Sequence, residues 1–300
     1  MTNTPITPTS EELVDGLRRI LNVERIENDF YRGIAAPNGR GRSFGGQVIA
    51  QALMAAAETV EPERKAHSLH AYFMRPGDAT APVLYQVERD YEGRSFATRR
   101  VIAVQNGRPI LNLAASFHFD EAGLSHQDAM PEGIPAPEEL ENEEQLAERY
   151  TGKLPEVFLD FLKFNRPIEL RPTVLRAPFV VEPQEAKQAV WFRAKASIGD
   201  NPAVHRAALA FASDMGLLGV SMLPHGKSYS DATMQVASLD HAMWIHEDIR
   251  IDDWLLYVMD SPWAGGARGF NRGKVFTREG KLVANVAQEG LIRYRAEKKK

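Results

Sequence analysis

The 300-residue chain has no cysteine, which excludes disulfides, thiolate metal sites and a cysteine nucleophile. It has no excess of positive charge either. A formal net charge of −4 gathers no polyanion, so no nucleic-acid partner is expected. The opening Met1-Thr-Asn-Thr-Pro-Ile6 has neither the basic nor the apolar region of a signal peptide. No apolar run reads as the ~20 residues of a membrane span. Phosphate loops are missing as well: Gly39-Arg-Gly41 lacks a third glycine, and Gly265-Gly266 lacks a following Lys-Ser/Thr. His241 and His246 are five apart, a spacing that suits shared metal ligation on neither a strand nor a helix face, so no metal is expected. These absences predict a soluble cytoplasmic protein without a cofactor. The closing Glu297-Lys-Lys-Lys300 reads as a solvated tail.

What is present is globular: 44% hydrophobic and 25% charged residues. A chain this long buries about three quarters of its unfolded surface. Thr9-Ser-Glu-Glu12 is a capping box, followed by a helical stripe of Leu13, Leu17, Ile20 and Leu21. Residues 25–33 read as one short strand. Residues 44–58 form an Ala-rich helix that is apolar on nearly every face, and such a helix is buried. Four strand-like runs follow, with Asn106-Gly107 as a hairpin turn. Residues 120–149, with three prolines and the run Glu138-Glu-Leu-Glu-Asn-Glu-Glu144, read as a linker with a solvated helix. A second short helix is expected at 154–164. A helix start at Asn201-Pro202 then leads into another apolar helix, followed by four more strands.

The halves repeat. Asn106-Gly-Arg-Pro-Ile-Leu-Asn-Leu-Ala-Ala115 matches Glu279-Gly-Lys-Leu-Val-Ala-Asn-Val-Ala-Gln288, and Leu84-Tyr85 and Ser68-Leu69 match Leu256-Tyr257 and Ser238-Leu239. Two copies indicate an internal duplication, with an N-terminal repeat over 1–120, a linker over 121–164 and a C-terminal repeat over 165–300. The repeat is uneven: Ala115 stands where the second copy has Gln288. Gln51 falls near the position of Asp214 in a looser helix alignment.

Asp214, Ser238 and Gln288 each interrupt an apolar run of the second half. A polar group buried without a partner costs a few kcal/mol, so the three should satisfy one another or share a water. A strand layer wrapped around a buried helix, twice, is an α+β double hotdog. The chain resembles the bacterial acyl-CoA thioesterase II family over nearly its whole length. The matching stretches are Phe44-Gly-Gly-Gln-Val48, His67-Ser-Leu-His-Ala-Tyr-Phe-Met-Arg-Pro-Gly-Asp78, Ala212-Ser-Asp214, Leu223-Pro-His-Gly226, Ser238-Leu-Asp-His-Ala-Met-Trp244 and Ala267-Arg-Gly-Phe270.

The resemblance implies hydrolysis of acyl-CoA to a fatty acid and coenzyme A by a water held between Asp214, Ser238 and Gln288. Some members carry Thr where this chain has Ser238. Asp214 is the one member of the three able to act as general base, and backbone N–H groups at a helix N-terminus would meet the oxyanion. Asp240, two residues after Ser238, should share its strand face as a structural anchor or substitute base. Coenzyme A phosphates call for cations, and Arg94, Arg99, Arg268 and Arg272 are the candidates. His67 and His70 are expected at a vestigial half-site or the seam between halves, His225 in a turn. Gly41-Arg-Ser-Phe-Gly45 matches a nucleophile elbow around Ser43, without the strand an elbow needs. The rival readings are an enoyl-CoA hydratase, for which His205 and Asp214 are poorly spaced, and a non-catalytic acyl-CoA binder. A homo-oligomer is expected, since hotdog sheets often expose a pairing edge.

Overall fold

The structure is a computed structural model that describes residues 8–35, 41–153, 159, 162–174 and 182–295. The capping box forms as expected: Thr9 and Glu12 exchange bonds at the start of α1 (Ser10–Leu21), which buries Val14, Leu17, Ile20 and Leu21. Residues 24–33 differ from the single strand expected. They make a hairpin, β1 (Glu24–Glu27) and β2 (Phe30–Gly33), turned at Asp29 with φ 60°. The Ala-rich helix is α2 (Gly45–Ala57), buried on every side. The meander follows as β3 (Lys65–Phe73), β4 (Val83–Glu92), β5 (Phe96–Gln105) and β6 (Arg108–His118).

The second half runs β7 (Ile168–Pro172), β8 (Lys187–Ala194), α4 (Pro202–Ser213), β9 (Met234–Ser238), β10 (Asp240–Ile245), β11 (Leu255–Gly265), β12 (Arg268–Thr277) and β13 (Leu282–Tyr294), with α3 (Glu143–Tyr150) in the connection before it. These strands make one antiparallel sheet in the order β1-β2-β4-β5-β6-β3-β10-β13-β12-β11-β8-β7, with β9 also on β13. The path β4-β5-β6-β3 is mirrored by β11-β12-β13-β10, and the halves join where β3 pairs with β10, buried Leu69 opposite buried Met243. The sheet wraps α2 and α4, which pack on each other, and one apolar core runs through both halves.

The connection is less solvated than its charge suggests. Met130, Ile134 and Leu140 pack on a second apolar cluster of Trp191, Trp254, Leu256, Phe276 and Leu282, and Trp191 donates to the Pro135 carbonyl at 2.9 Å. Most of the helix expected at 154–164 lies outside the described residues. A 3₁₀ segment, Leu217–His225, follows α4 where a turn at His225 was expected. The combined stretch Pro202–His225 is apolar enough and long enough for a span, yet it is the core helix of the second half. Its Arg206 is buried and pairs with Asp248.

Gln51 is not the counterpart of Asp214. It sits mid-helix, wholly buried, whereas Asp214 caps the C-terminus of α4. Gln51 Nε2 donates to the carbonyls of Ile20 (2.7 Å) and Ile34 (3.1 Å), and its Oε1 accepts from Tyr85 Oη (2.7 Å). One amide thus ties α1 and the segment after β2 to β4. Gln51→Leu strands all three partners and should cost about 2–4 kcal/mol in urea unfolding, with activity of the folded fraction retained.

Candidate active site

Three elements meet at Asp214. The first is α4 itself, begun by Asn201 as N-cap and Pro202 in the first turn. A carboxylate at a helix C-terminus faces the negative end of that helix's dipole. The compensation comes from the other half. Phe44, the N-cap of α2, supplies no side-chain acceptor, and Asp214 Oδ2 accepts from Gly46 N–H at 2.8 Å. Glycine is required at both positions. A Cβ on Gly45 would lie 2.8 Å from Asp214 Oδ2 and from the Phe73 ring, and one on Gly46 would lie 2.4 Å from the Phe211 carbonyl.

The second element is β13, which brings in Gln288. Its Nε2 donates to Asp214 Oδ1 at 2.7 Å and to Ser238 Oγ at 3.2 Å, so the three expected residues do converge. Gln288 is fully buried, and its Oε1 has no protein partner. The third element is the broken strand β9–β10. The break at Leu239 lets Ser238 and His241, three apart, both reach the Gln288 amide; His241 Nδ1 lies 3.3 Å from Nε2. His241 Nε2 lies 2.9 Å from Ser213 Oγ, and the Ser213 hydroxyl reaches the Ala210 carbonyl at 3.0 Å. Sequence reading weighed His241 only as a metal ligand and missed this contact. Counting strand parity through Leu239 hid it. The same break turns Asp240 away from Ser238's partner: its Oδ1 accepts from Glu289 N–H at 2.6 Å, a structural anchor.

The electrostatics follow from burial. Desolvation raises the Asp214 carboxyl from the usual 3.8 to about 6, opposed by the bonds from Gln288 and Gly46. Desolvation lowers His241 to about 4, so the imidazole is neutral above that range. His241 Nδ1 and Asp214 Oδ1, 4.0 Å apart, are therefore not an ion pair at neutral pH.

The expected phosphate ligands fare unevenly. Arg99 is wholly buried, bonding Thr59, the Tyr91 carbonyl and Glu92, and cannot reach a substrate phosphate. Arg272 is exposed but held by two bonds to Asp260, at 3.0 and 2.5 Å. Arg94 is exposed in the β4–β5 turn. Arg268 lines a cavity of about 350 Å³ with Met222, Met234, Ala264 and Ile292, and Lys227 lies in the same wall. Ser43 precedes α2 beside an isolated bridge from Arg42 to Asp78, and residues 36–40, where the strand of an elbow would run, lie outside the described residues. His67 bonds Ser116 Oγ at 2.8 Å, beside a bulge between Ala66 and Ser68 and edge-on to the exposed Phe96. His70 packs edge-on to Trp244 across the β3–β10 seam. His205 is spent on Gly199 O and Ile251 N–H.

A sheet wrapped around a helix, twice, with a buried carboxylate where one half's helix end meets the other's, defines a double-hotdog protein. Two family descriptions match, "Acyl-CoA thioesterase N-terminal domain" over residues 35–118 and "Acyl-CoA thioesterase" over 160–291. Acyl-coenzyme A thioesterase 8 of Mus musculus is 42% identical, over 91% of this chain and 88% of its own. Acyl-CoA thioesterase 2 of Haemophilus influenzae is 35% identical, over 94% and 99%. The solved acyl-CoA thioesterase II of Mycobacterium marinum is 41% identical, covers 95% of this chain and 99% of its own, and superposes with a TM-score of 0.76. The chain belongs to the acyl-CoA thioesterase II family. It is a thioester hydrolase acting on acyl-CoA.

The raised Asp214 carboxyl fixes a sign for stability. Between pH 3.8 and about 6 the folded state holds the proton more tightly than the unfolded one. Its stabilising contribution is complete below pH 3.8 and lost as pH rises through 6. The loss is on the order of 3 kcal/mol. Asp214→Asn removes this dependence. Its stability relative to wild type, from urea unfolding, should therefore rise between pH 4 and pH 7; a flat difference would show that the carboxyl is not shifted.

Proposed function

We propose that the reaction proceeds by direct attack of a water bound between Asp214 and Gln288. The supporting observation is the aim of the polar atoms: Asp214 Oδ1 is held by Gln288 Nε2, and Gln288 Oε1 is buried with no protein partner. A water donating to the Asp214 carboxylate and to Oε1 keeps a lone pair for the thioester carbonyl carbon. As the C–O bond forms, the water proton passes to Asp214 and the carbonyl oxygen becomes an oxyanion. The α2 N-terminus is its stabiliser through the helix dipole, which favours negative charge there, since Gly46 N–H is held by Asp214 and Gln47 N–H by the Phe44 carbonyl. Collapse breaks the C–S bond; the departing thiolate takes the proton from Asp214, leaving a fatty acid and coenzyme A. Ser238 Oγ, fixed by Gln288, orients the water and forms no covalent bond.

The acyl chain is assigned to the 350 Å³ cavity, whose wall includes Met222, Met234, Ala264 and Ile292. Gln288 and Ile292 are an even number of residues apart on β13 and so share a face. Ile292→Trp should shift the preferred acyl-CoA toward shorter chains in a thiol-release series.

The hydratase reading gains one point, the approach of His241 to Asp214. It fails on access, because both ring nitrogens are engaged and the ring is fully buried. A non-catalytic binder leaves the buried carboxylate unexplained. We further infer a cytoplasmic location, from the cysteine-free sequence, and a homo-oligomer, supported by the exposed Tyr72, Met74 and Trp244 on and beside the seam strands.

Thiol release from acyl-CoA should fall about 10²–10⁴-fold in Asp214→Asn, and wild-type kcat/KM should drop below a limb near pH 6. Ser238→Ala should keep measurable turnover. An acyl adduct on Ser238, found by mass spectrometry during turnover, would sink direct water attack.

A further inference from the structure

We propose that Ser213 and His241 are positioning residues that set which way the Gln288 amide faces. The inference rests on the water-attack reading above and deepens it. Gln288 can hold a water by its carbonyl oxygen only if its NH₂ points at Asp214. The two ends of an amide have nearly the same shape, so packing alone does not choose between them.

The choice is made by a chain of hydrogen bonds with a fixed direction. It starts at a helical carbonyl, which can only accept. The Ser213 hydroxyl donates to Ala210 O at 3.0 Å. With that proton spent, Ser213 Oγ faces His241 Nε2 at 2.9 Å as an acceptor, so Nε2 carries the imidazole hydrogen. His241 Nδ1 is then bare, and it accepts from Gln288 Nε2 at 3.3 Å. One amide hydrogen goes to Asp214 Oδ1 at 2.7 Å, and the other is shared between Ser238 and His241. A flipped amide would set its oxygen against the Asp214 carboxylate and against the bare Nδ1, two repulsions between buried groups. Ser213, His241 and Gln288 are 1%, 0% and 0% exposed, so no bulk solvent competes for these bonds.

Geometry closes the chain into a ring. Ser213 and Asp214 are adjacent in sequence, so the path Ser213–His241–Gln288–Asp214 returns to its start through one peptide bond. Tyr257 Oη, donating to the Ser213 carbonyl at 2.9 Å, pins that helix end. His241 touches no reacting atom. Its neutral state, enforced by burial, keeps Nδ1 available as an acceptor. Around Asp214 the other polar and titratable groups are Gly46 N–H from α2, His241 from β10, Tyr257 from β11 and Tyr229 from the segment before β9.

The test uses the whole 300-residue chain and four variants, Asp214→Asn among them, with melting curves as the check on folding. Ring ¹⁵N shifts of wild-type His241 should report the neutral Nε2–H tautomer between pH 6 and 8; the Nδ1–H tautomer or an imidazolium overturns the proposal. His241→Leu should lower kcat about 10–10²-fold with KM changed less than about threefold. It should also move the acid limb of kcat/KM upward by about one unit, because Asp214 loses the amide bond that lowers its pKa. Ser213→Ala should move both in the same direction by less. His241→Asn, whose Oδ1 replaces Nδ1 as acceptor, should restore kcat to within about fivefold and return the limb. If Asn is no better than Leu and the limb stays in place, the role is packing only and the proposal fails. A wild-type enzyme active without dependence on Asp214 overturns the water-attack reading instead, and the tautomer measurement still decides the direction of the chain.

Discussion

The structure turns on a carboxylate placed where its own helix disfavours it. Asp214 ends α4, against the negative pole of that dipole, inside an apolar core. It is tolerated because α2 from the other half points its N-terminus at the same spot, through two glycines that let the helix end come close. Remove either helix end and the charge has no reason to be there. What remains of the desolvation cost appears as a raised carboxyl pKa, which is what a general base working near neutrality needs.

The rest of the second half supplies alignment. β13 presents one amide, and a one-residue break in β9–β10 gives that amide a hydroxyl and an imidazole at the same time. An unbroken strand could not do so, since residues three apart would face opposite sides of the sheet. The break at Leu239 is therefore as much a part of the site as any side chain. The edge it would expose is covered: Leu239 N–H donates to Glu289 O, and its carbonyl accepts from Phe73 N–H, both at 2.9 Å.

Much of this is readable in the sequence because it is local or periodic. The capping box at Thr9, the two all-round apolar helices, the Asn106-Gly107 turn and the intrusion of Asp214, Ser238 and Gln288 into apolar runs are each visible within a dozen residues. The failures have a common cause, that partners distant in the chain decide the outcome. Arg99 reads as a surface cation, yet Thr59 and Glu92 make its burial tolerable. Gln51 aligns loosely with Asp214, yet Ile20, Ile34 and Tyr85 claim its amide. His241 reads as half of a failed metal pair, and its contact with the Gln288 amide is hidden by a break at Leu239 that only pairing to β13 and β3 reveals. The linker's glutamates outweigh, by count, the few apolar residues that pack it down.

The loan of a helix end across the seam bears on how such a chain can arise. Two identical single-hotdog subunits, joined about a twofold axis, would carry two equivalent reacting centres. Each would be made of one subunit's carboxylate and the other's helix N-terminus. Once the copies are fused, each is free to specialise. Here the second copy keeps the acid and the amide, while the first keeps the glycine-rich helix end and has alanine at position 115. The proposed site thus has a donor half and an acceptor half, the α2 N-terminus coming from the first and Asp214 with Gln288 from the second.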